Sequence, residues 1–358
     1  MSLNWMRYFE LILEVNQDNF LRLSDFKVSF TITTSVNSNG STANITLYNL
    51  SPSTRNAIMN GVYKRLKVIA GYAGPTVDII KESDVGKSYP VEKSGQIGGR
   101  NYGEIFSGDL RFAYIGESGK GADNTLVIQA IDGHQAEQEA IVTATVAAGY
   151  DARKIYELTL RSFHPYGITG GVTGEMPTTR YPRGRVLYQK ASQVIGNVAE
   201  QCRASWQFVD GKLQLVPEEN YLEQIITLNS QSGLISTPTL TTTGIEINCL
   251  INPDIRLHGL IHINQAALKR MTDEIKLTED RNKGEENNKP AGSDEKKASS
   301  EAAQKKEEEE RKKKIATDGV YIVKGITYSG DTRGTEWNMK ITGIVRDQQK
   351  SIKASAEK

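Results

Sequence analysis

The first third of the chain alternates between apolar and polar positions. In the run FKVSFTI, Phe26, Val28, Phe30 and Ile32 share one side, and Lys27, Ser29 and Thr31 take the other. STANITLYNL repeats the pattern with Ala43, Ile45 and Leu47. A period of two marks a strand with one face on a core, because successive Cβ atoms leave a strand on opposite sides. SPSTRNAIMNG breaks the alternation. There Ser51 can cap a helix, Pro52 suits its first position and Gly61 can end it. RLKVIAGY, EIFSGDLRFAYI and NTLVIQAIDG predict further strands. Strands around one short helix predict a small antiparallel barrel or sandwich over residues 1–135.

The period then lengthens. DARKIYELTLRSF opens on Asp151 as a cap and places Ile155, Leu158 and Phe163 near one helical face. LYQKASQVIGNVAEQCRASW sets Leu187, Ala191, Val194, Ile195, Val198 and Cys202 at helical spacing. WQFVDGKLQLV reads as a hairpin turning at Asp210-Gly211. Residues 136–224 are therefore expected to form a mixed α/β middle domain.

From 225 to 346 strands return in QIITLN, TGIEINCLI, HGLIHIN, GVYIVKGITYS and TEWNMKITGIV. A charged excursion at 272–316 interrupts them, and a tail occupies 347–358. Within 295–314 eight basic and six acidic residues occur, with no aliphatic side chain larger than alanine. Glu301–Lys305 and Glu307–Arg311 are among several pairs in the favourable i,i+4 order, which predicts a solvated helix projecting from the second β domain. The fold class expected is mainly β (α+β): two antiparallel barrels flanking a mixed middle domain, the second carrying a charged helical insertion.

Charge narrows the function classes. Lys+Arg number 44 against 43 Asp+Glu, a formal net charge of +1. That balance argues against a dedicated DNA binder, whose basic surplus usually shows; the basic end Lys305–Lys314 remains the one candidate patch. No stretch approaches the length of apolar sequence that spans a bilayer, so no membrane insertion is expected. MSLNWMRYFELILEV lacks the pattern of a secretory signal, which predicts assembly in a cytoplasm.

Candidate chemistry is sparse. Cys202 and Cys249 fall on apolar stripes and read as buried, inert thiols. His134, His164, His258 and His262 show no metal-ligand spacing, and the strand pattern around His258 and His262 argues against a helical metal face. Asp132, His134 and Glu137 in IDGHQAE could form an acid–base set, as a cell-wall hydrolase would need. No nucleophile accompanies them, and Asp132-Gly133 reads first as a strand-ending turn. GGVTG at 170–174 reads as loop glycines. YSGDTRGTEW at 328–337 could be mistaken for a phosphate loop, but a strand follows it and no Lys-Thr step is present. It reads as a hairpin connection with Gly330 and Gly334 free to take positive φ and Arg333 exposed. Trp337, Met339 and Ile341, with Tyr328 across the turn, are the expected core of the second β domain. No catalytic, cofactor-binding or metal-binding residue is singled out, and the chain is read as no enzyme.

The order of segments resembles the central baseplate hub proteins of contractile phage tails, the tail hub or late control protein D-like family. ANITLYNLSPSTRNAI, LKVIAGY, EIFSGDLRFA and DNTLVIQAIDG are similar to that family's first barrel. GRVLYQKASQVIGNVAEQCRASWQFVDGKLQLV is similar to its middle domain. SGLISTPTLTTTGIEINCLINPDIRLHGLIHI and DGVYIVKGITYSGDTRGTEWNMKITG resemble its second barrel. The resemblance implies tube-protein-like barrels in a homotrimer whose six barrels form a ring. Such a ring would adapt the six-fold tail tube protein to the three-fold central spike protein. It would hold the end of the tape-measure protein and pass DNA only in transit, with baseplate wedge proteins as further candidate neighbours. The implied place is the tail baseplate of the virion, assembled in the host cytoplasm; a hub of a tailocin or related contractile injection system is the alternative within the resemblance. The Thr/Ser/Asn-rich runs TITTSVNSNGST and TPTLTTTG fit a channel lining that neither holds nor repels DNA.

Overall fold

A computed structural model describes residues 6–15, 19–36, 40–73, 101–116, 124–217, 220–222, 225–229, 232–241, 244–263, 319–346 and 350–352. The charged excursion at 272–316, with its candidate patch Lys305–Lys314 and its expected helix, lies outside them. So does the tail at 347–358, apart from residues 350–352.

The first β segment runs β1 (Arg7–Glu14), β2 (Phe20–Leu23), β3 (Val28–Ser35), β4 (Thr42–Tyr48), α1 (Pro52–Met59), β5 (Arg65–Tyr72), β6 (Asn101–Gly116) and β7 (Thr125–Ile131). The middle follows as α2 (His134–Glu139), β8 (Ile141–Val146), α3 (Ala152–Phe163), β9 (Thr169–Thr173), β10 (Arg185–Lys190), α4 (Ala191–Gln201), β11 (Ala204–Val209) and β12 (Lys212–Pro217). The last part holds β13 (Asn220–Leu222), β14 (Ile225–Leu228), β15 (Thr239–Leu240), β16 (Ile245–Leu250), β17 (Leu260–Ile263), β18 (Val320–Asp331), β19 (Trp337–Val345) and β20 (Lys350–Ile352).

Local signals account for the helices. The Ser51 hydroxyl accepts the Thr54 amide at 3.2 Å and Pro52 opens α1. Asp151 does the same for α3, its carboxylate accepting the Lys154 amide at 2.9 Å. Each satisfies a donor that the first helical turn leaves without a backbone partner.

Thirteen strands from the two β segments join one sheet, in the order β15-β16-β19-β18-β3-β4-β7-β6-β5-β1-β2, with β17 beside β18 and β14 beside β17, while β13 and β20 pair with each other apart from it. The chain is thus mainly β, as expected, and among the described residues the strands of the two segments are hydrogen-bonded into one sheet in which no pairing closes a barrel. The junction is β18. Its residues 320–322 pair with β17, a bulge falls at Lys324, and from Gly325 onward it pairs with β3, Tyr328 opposite Ile32. Sequence periodicity shows which residues face a core, but not which edge a strand will join.

One core follows from that junction. Phe9, Phe30, Ile45 and Val68 from the first segment share it with Ile247, Tyr328, Trp337, Met339 and Ile341 from the last. Trp337 sits at the seam, 3% exposed. Its ring lies edge-on to Phe30 at 5.5 Å and to Phe9 at 6.4 Å, and its Nε1–H donates to the Gly71 carbonyl at 3.2 Å. Trp337, Met339, Ile341 and Tyr328 are buried as expected.

The middle segment has its own core, with α3 and α4 packed on the β8–β10 ribbon and the β11–β12 hairpin. The hairpin turns at Asp210 (φ 53) and Gly211 (φ 72), the left-handed pair of a tight connection. Trp206 and Phe208 join the helices' core while Val209 packs on the large one, so the hairpin lies between the two. Gly133 makes this approach possible. Its φ is +64, and a Cβ there would stand 2.4 Å from the Phe208 ring.

Three expectations change here. Leu187 lies on β10, ahead of α4, and reaches the middle core from a strand. GGVTG is no loop: residues 170–173 belong to β9, which pairs in parallel with β12. Gly330 and Gly334 do not take positive φ. Both are needed for space, since a Cβ on Gly330 would lie 2.4 Å from the Phe30 ring and one on Gly334 would lie 2.8 Å from the Asp331 carboxyl.

Candidate functional site

The side of the sheet turned away from the large core is not uniform. Across β16, β19, β18, β3, β4 and β7 it presents mostly polar side chains, with Val127 and Ile131 of β7 as apolar positions on either side of Gln129. The register lines up Asn248 with Lys340, Lys340 with Thr327, Thr327 with Thr33 and Thr33 with Thr42. A second row runs from Asn338 through Ser329, Thr31 and Asn44 to Gln129. Lys340 is the charged side chain within these rows, and it pairs at 2.8 Å with Glu246, two residues before Asn248 on β16. Six strands at about 4.8 Å spacing make a wall roughly 24 Å wide. It is built jointly by the two β segments through the β18–β3 pairing, and β-branched threonine suits such a pleated surface.

The other arc of the same sheet contrasts with it. On β1, β2, β5 and β6 the outward positions carry Arg22 paired with Glu10, Lys67 with Glu14 at 2.7 Å, and Arg65 with Asp109 at 3.8 Å. Charge is concentrated, and balanced, on that arc.

The hairpin connection 328–337 stitches the ends of the two segments together. Asp331 accepts the amides of Arg333 and Gly334, both at 2.8 Å. The Thr332 hydroxyl donates to the Phe26 carbonyl and accepts the Val28 amide. Arg7 donates to the carbonyls of Asp331, Gly334 and Thr335, with its guanidinium 5.5 Å over the Trp337 ring. Arg333, exposed, donates to the Asp25 carbonyl at 3.1 Å. The stretch binds its own chain, as a turn does, and holds no phosphate cradle.

The residues singled out for acid–base chemistry differ in setting, Asp132 being buried and His134 and Glu137 half-buried. Asp132 is 1% exposed and its carboxylate faces the Gly211 amide at 3.2 Å. Burial pushes its pKa well above the usual carboxylate range, and the Asp210 charge adds to this. His134 and Glu137 stand in the first turn of α2. Asp132 is a clamp between the first segment and the middle hairpin.

The other candidates are structural as well. Cys202 caps α4 and Cys249 lies buried in β16, where burial pushes its thiol up to about 12; both are free thiols. His258 is 1% exposed with φ 60, and burial followed by the Lys324 charge lowers its pKa to about 3. Its ring nitrogens have no hydrogen-bond partner, whereas its backbone donates to Val323 and accepts from Leu222. Among the described residues no group of three or more His, Cys, Asp or Glu is placed to hold a metal. No described helix is long and apolar enough to cross a membrane. What sequence reasoning missed is β1, whose Phe9, Leu11 and Leu13 enter the core; the alternation in RYFELILE was the available signal.

Fold and surface together define a β-rich structural protein that presents a broad polar wall. A family model for baseplate hub gp41 matches residues 9–266, and the chain belongs to that family, which places it in the phage tail as a structural baseplate component. Among solved structures it is similar to the 43 kDa tail protein of prophage MuSo2 from Shewanella oneidensis. There the identity is 10%, over 96% of this chain and 99% of that one, with a TM-score of 0.46. A tail protein from Neisseria meningitidis MC58 is similar at 7% identity over 96% and 98%, TM-score 0.47. The E. coli c3393 protein, a component of the type VI secretion system, is similar at 8% over 94% and 76%, TM-score 0.45. No curated protein matches the chain.

Proposed function

We propose that the chain is a non-catalytic hub that forms a homotrimeric ring, with the polar wall facing a central channel. The ring joins the tail tube protein to the central spike protein, holds the end of the tape-measure protein and lets DNA pass. The observation that carries this reading is the wall itself: hydroxyl and amide side chains spread over six strands from both β segments, with the Lys340 charge paired to Glu246. A polyanion held by cationic side chains releases its own condensed counterions and stays bound, and one facing carboxylates is repelled. A neutral hydrogen-bonding wall does neither.

Two measurements test the reading. The mass of the purified chain, alone and mixed with its tube and spike proteins, should show a trimer that joins both; a monomer that binds neither would overturn the ring. In assembled tails, Thr31→Lys combined with Asn44→Lys and Thr327→Lys should leave assembly intact and slow DNA release severalfold. Unchanged release from such tails would place the wall away from the channel while leaving the hub role standing.

A further inference from the structure

The β8–β10 ribbon of the middle segment exposes more apolar surface than its own fold uses. One face sends Val142, Val146 and Leu187 into the middle core. On the other, Ile141, Val186 and Tyr188 are 52%, 73% and 74% exposed. The register gathers them into one patch, Val186 opposite Thr145, Tyr188 opposite Thr143 and Ile141 opposite Lys190. Clustered exposed apolar side chains of this kind mark interaction sites.

Two further observations say what fits there. The ribbon has only two strands, and no described strand pairs with the outer edge of either. Its edges offer a row of backbone donors and acceptors to a third strand. The charged residues of the ribbon, Arg185 and Lys190, are both cationic, and Arg180 and Arg183 stand in the loop that leads into it. Arg180, Arg183, Arg185 and Lys190 are exposed, no acidic residue occurs between Glu175 and Glu200, and none of the four has an ion-pair partner among the described residues. α2, which packs beside β10, carries Glu137 and Glu139.

We propose that this ribbon is a docking site for an extended, acidic segment of a partner protein, added as a third strand with apolar residues at alternate positions. Strand addition uses the free edge: apolar side chains on one face of the added strand cover Val186 and Tyr188, and acidic side chains at the alternate positions meet Arg185 on the other face and Arg180 and Arg183 in the loop that leads into β10. DNA would use the cations and stack on Tyr188, but would leave Ile141, Val186 and both strand edges uncovered. The protein segment accounts for all of them.

The test uses the full chain and a fluorescent eight-residue peptide alternating glutamate and valine, with a lysine–valine peptide and oligothymidylate as comparisons, read by anisotropy at low and moderate salt. The acidic peptide should bind and the basic one should not. Val186→Asp with Tyr188→Asp should weaken binding about tenfold or more, and Arg183→Gln with Arg185→Gln should weaken it comparably and flatten its salt dependence. If the aspartates lower the melting temperature, Val186→Ser with Tyr188→Ser serves instead. No binding at millimolar peptide, or equal binding of both peptides, overturns the proposal. So does oligothymidylate binding that the arginine substitutions abolish and the apolar ones leave intact.

Discussion

Trp337→Ala tests the seam between the two β segments. The side chain is 3% exposed and comes from the last segment, yet its neighbours Phe9, Phe30 and Gly71 all belong to the first. Truncating a buried Trp to Ala costs about 3–5 kcal/mol through lost transfer energy and the cavity left behind. Two edge-on aromatic contacts, at about 0.5–1.5 kcal/mol each beyond area, place this site toward the upper end of that range. Gly71 also loses a donor at its carbonyl. Chemical denaturation of the full chain, followed by far-UV circular dichroism at fixed protein concentration, should show a loss of about 4 kcal/mol. A double-mutant cycle with Phe30→Ala isolates the seam, because the two residues touch only if the segments share a core. Their coupling should be about 1 kcal/mol. A loss under about 1 kcal/mol for Trp337→Ala, or a coupling of zero, would refute the shared core.

Further outcomes follow from buried groups. His258 has a folded pKa lowered to about 3 against an ordinary 6.5. Its folded form resists protonation, so its contribution is constant above pH 6.5 and stability is lost as pH falls from there toward 3. His258→Asn, which accepts φ 60, should flatten that acid-side decline, measured as unfolding free energy at pH 7, 5 and 4; an unchanged slope would count against burial as the cause. Asp132 shifts the opposite way, its folded pKa raised, so its ionisation costs stability as pH rises through and beyond the ordinary carboxylate value. Asp132→Asn keeps an acceptor for the Gly211 amide and removes that cost. It should be at least as stable as the parent at pH 7, and a loss above about 2 kcal/mol there would show that the charge itself is required. Gly330→Ala forces a methyl against the Phe30 ring and should cost about 1–3 kcal/mol in the same assay; neutrality would mean the ring has room to move.

Much of this protein was legible residue by residue. Alternation in VSFTITTS and TANITLY marked the strands and the inward side of each, because a strand's faces are set by its own geometry. Ser51 and Asp151 marked helix starts because caps act within one turn. The buried set Tyr328, Trp337, Met339 and Ile341 followed from the same period. The polar wall is half visible: Ser29 and Thr31 fall on the polar side of their strand, but nothing in their neighbourhood says that Ser329 and Asn338 lie in line with Thr31. That alignment depends on β18 leaving β17 at Lys324 to join β3, a pairing across some three hundred residues of chain. The two glycines of the 328–337 turn make the same point at smaller scale. Their presence announced a constraint, but only the fold showed it to be the Phe30 ring and the Asp331 carboxyl and not a left-handed backbone. Local chemistry is written in short windows of sequence, whereas sheet edges, shared cores and close approaches are decided by which distant segments exclude water together.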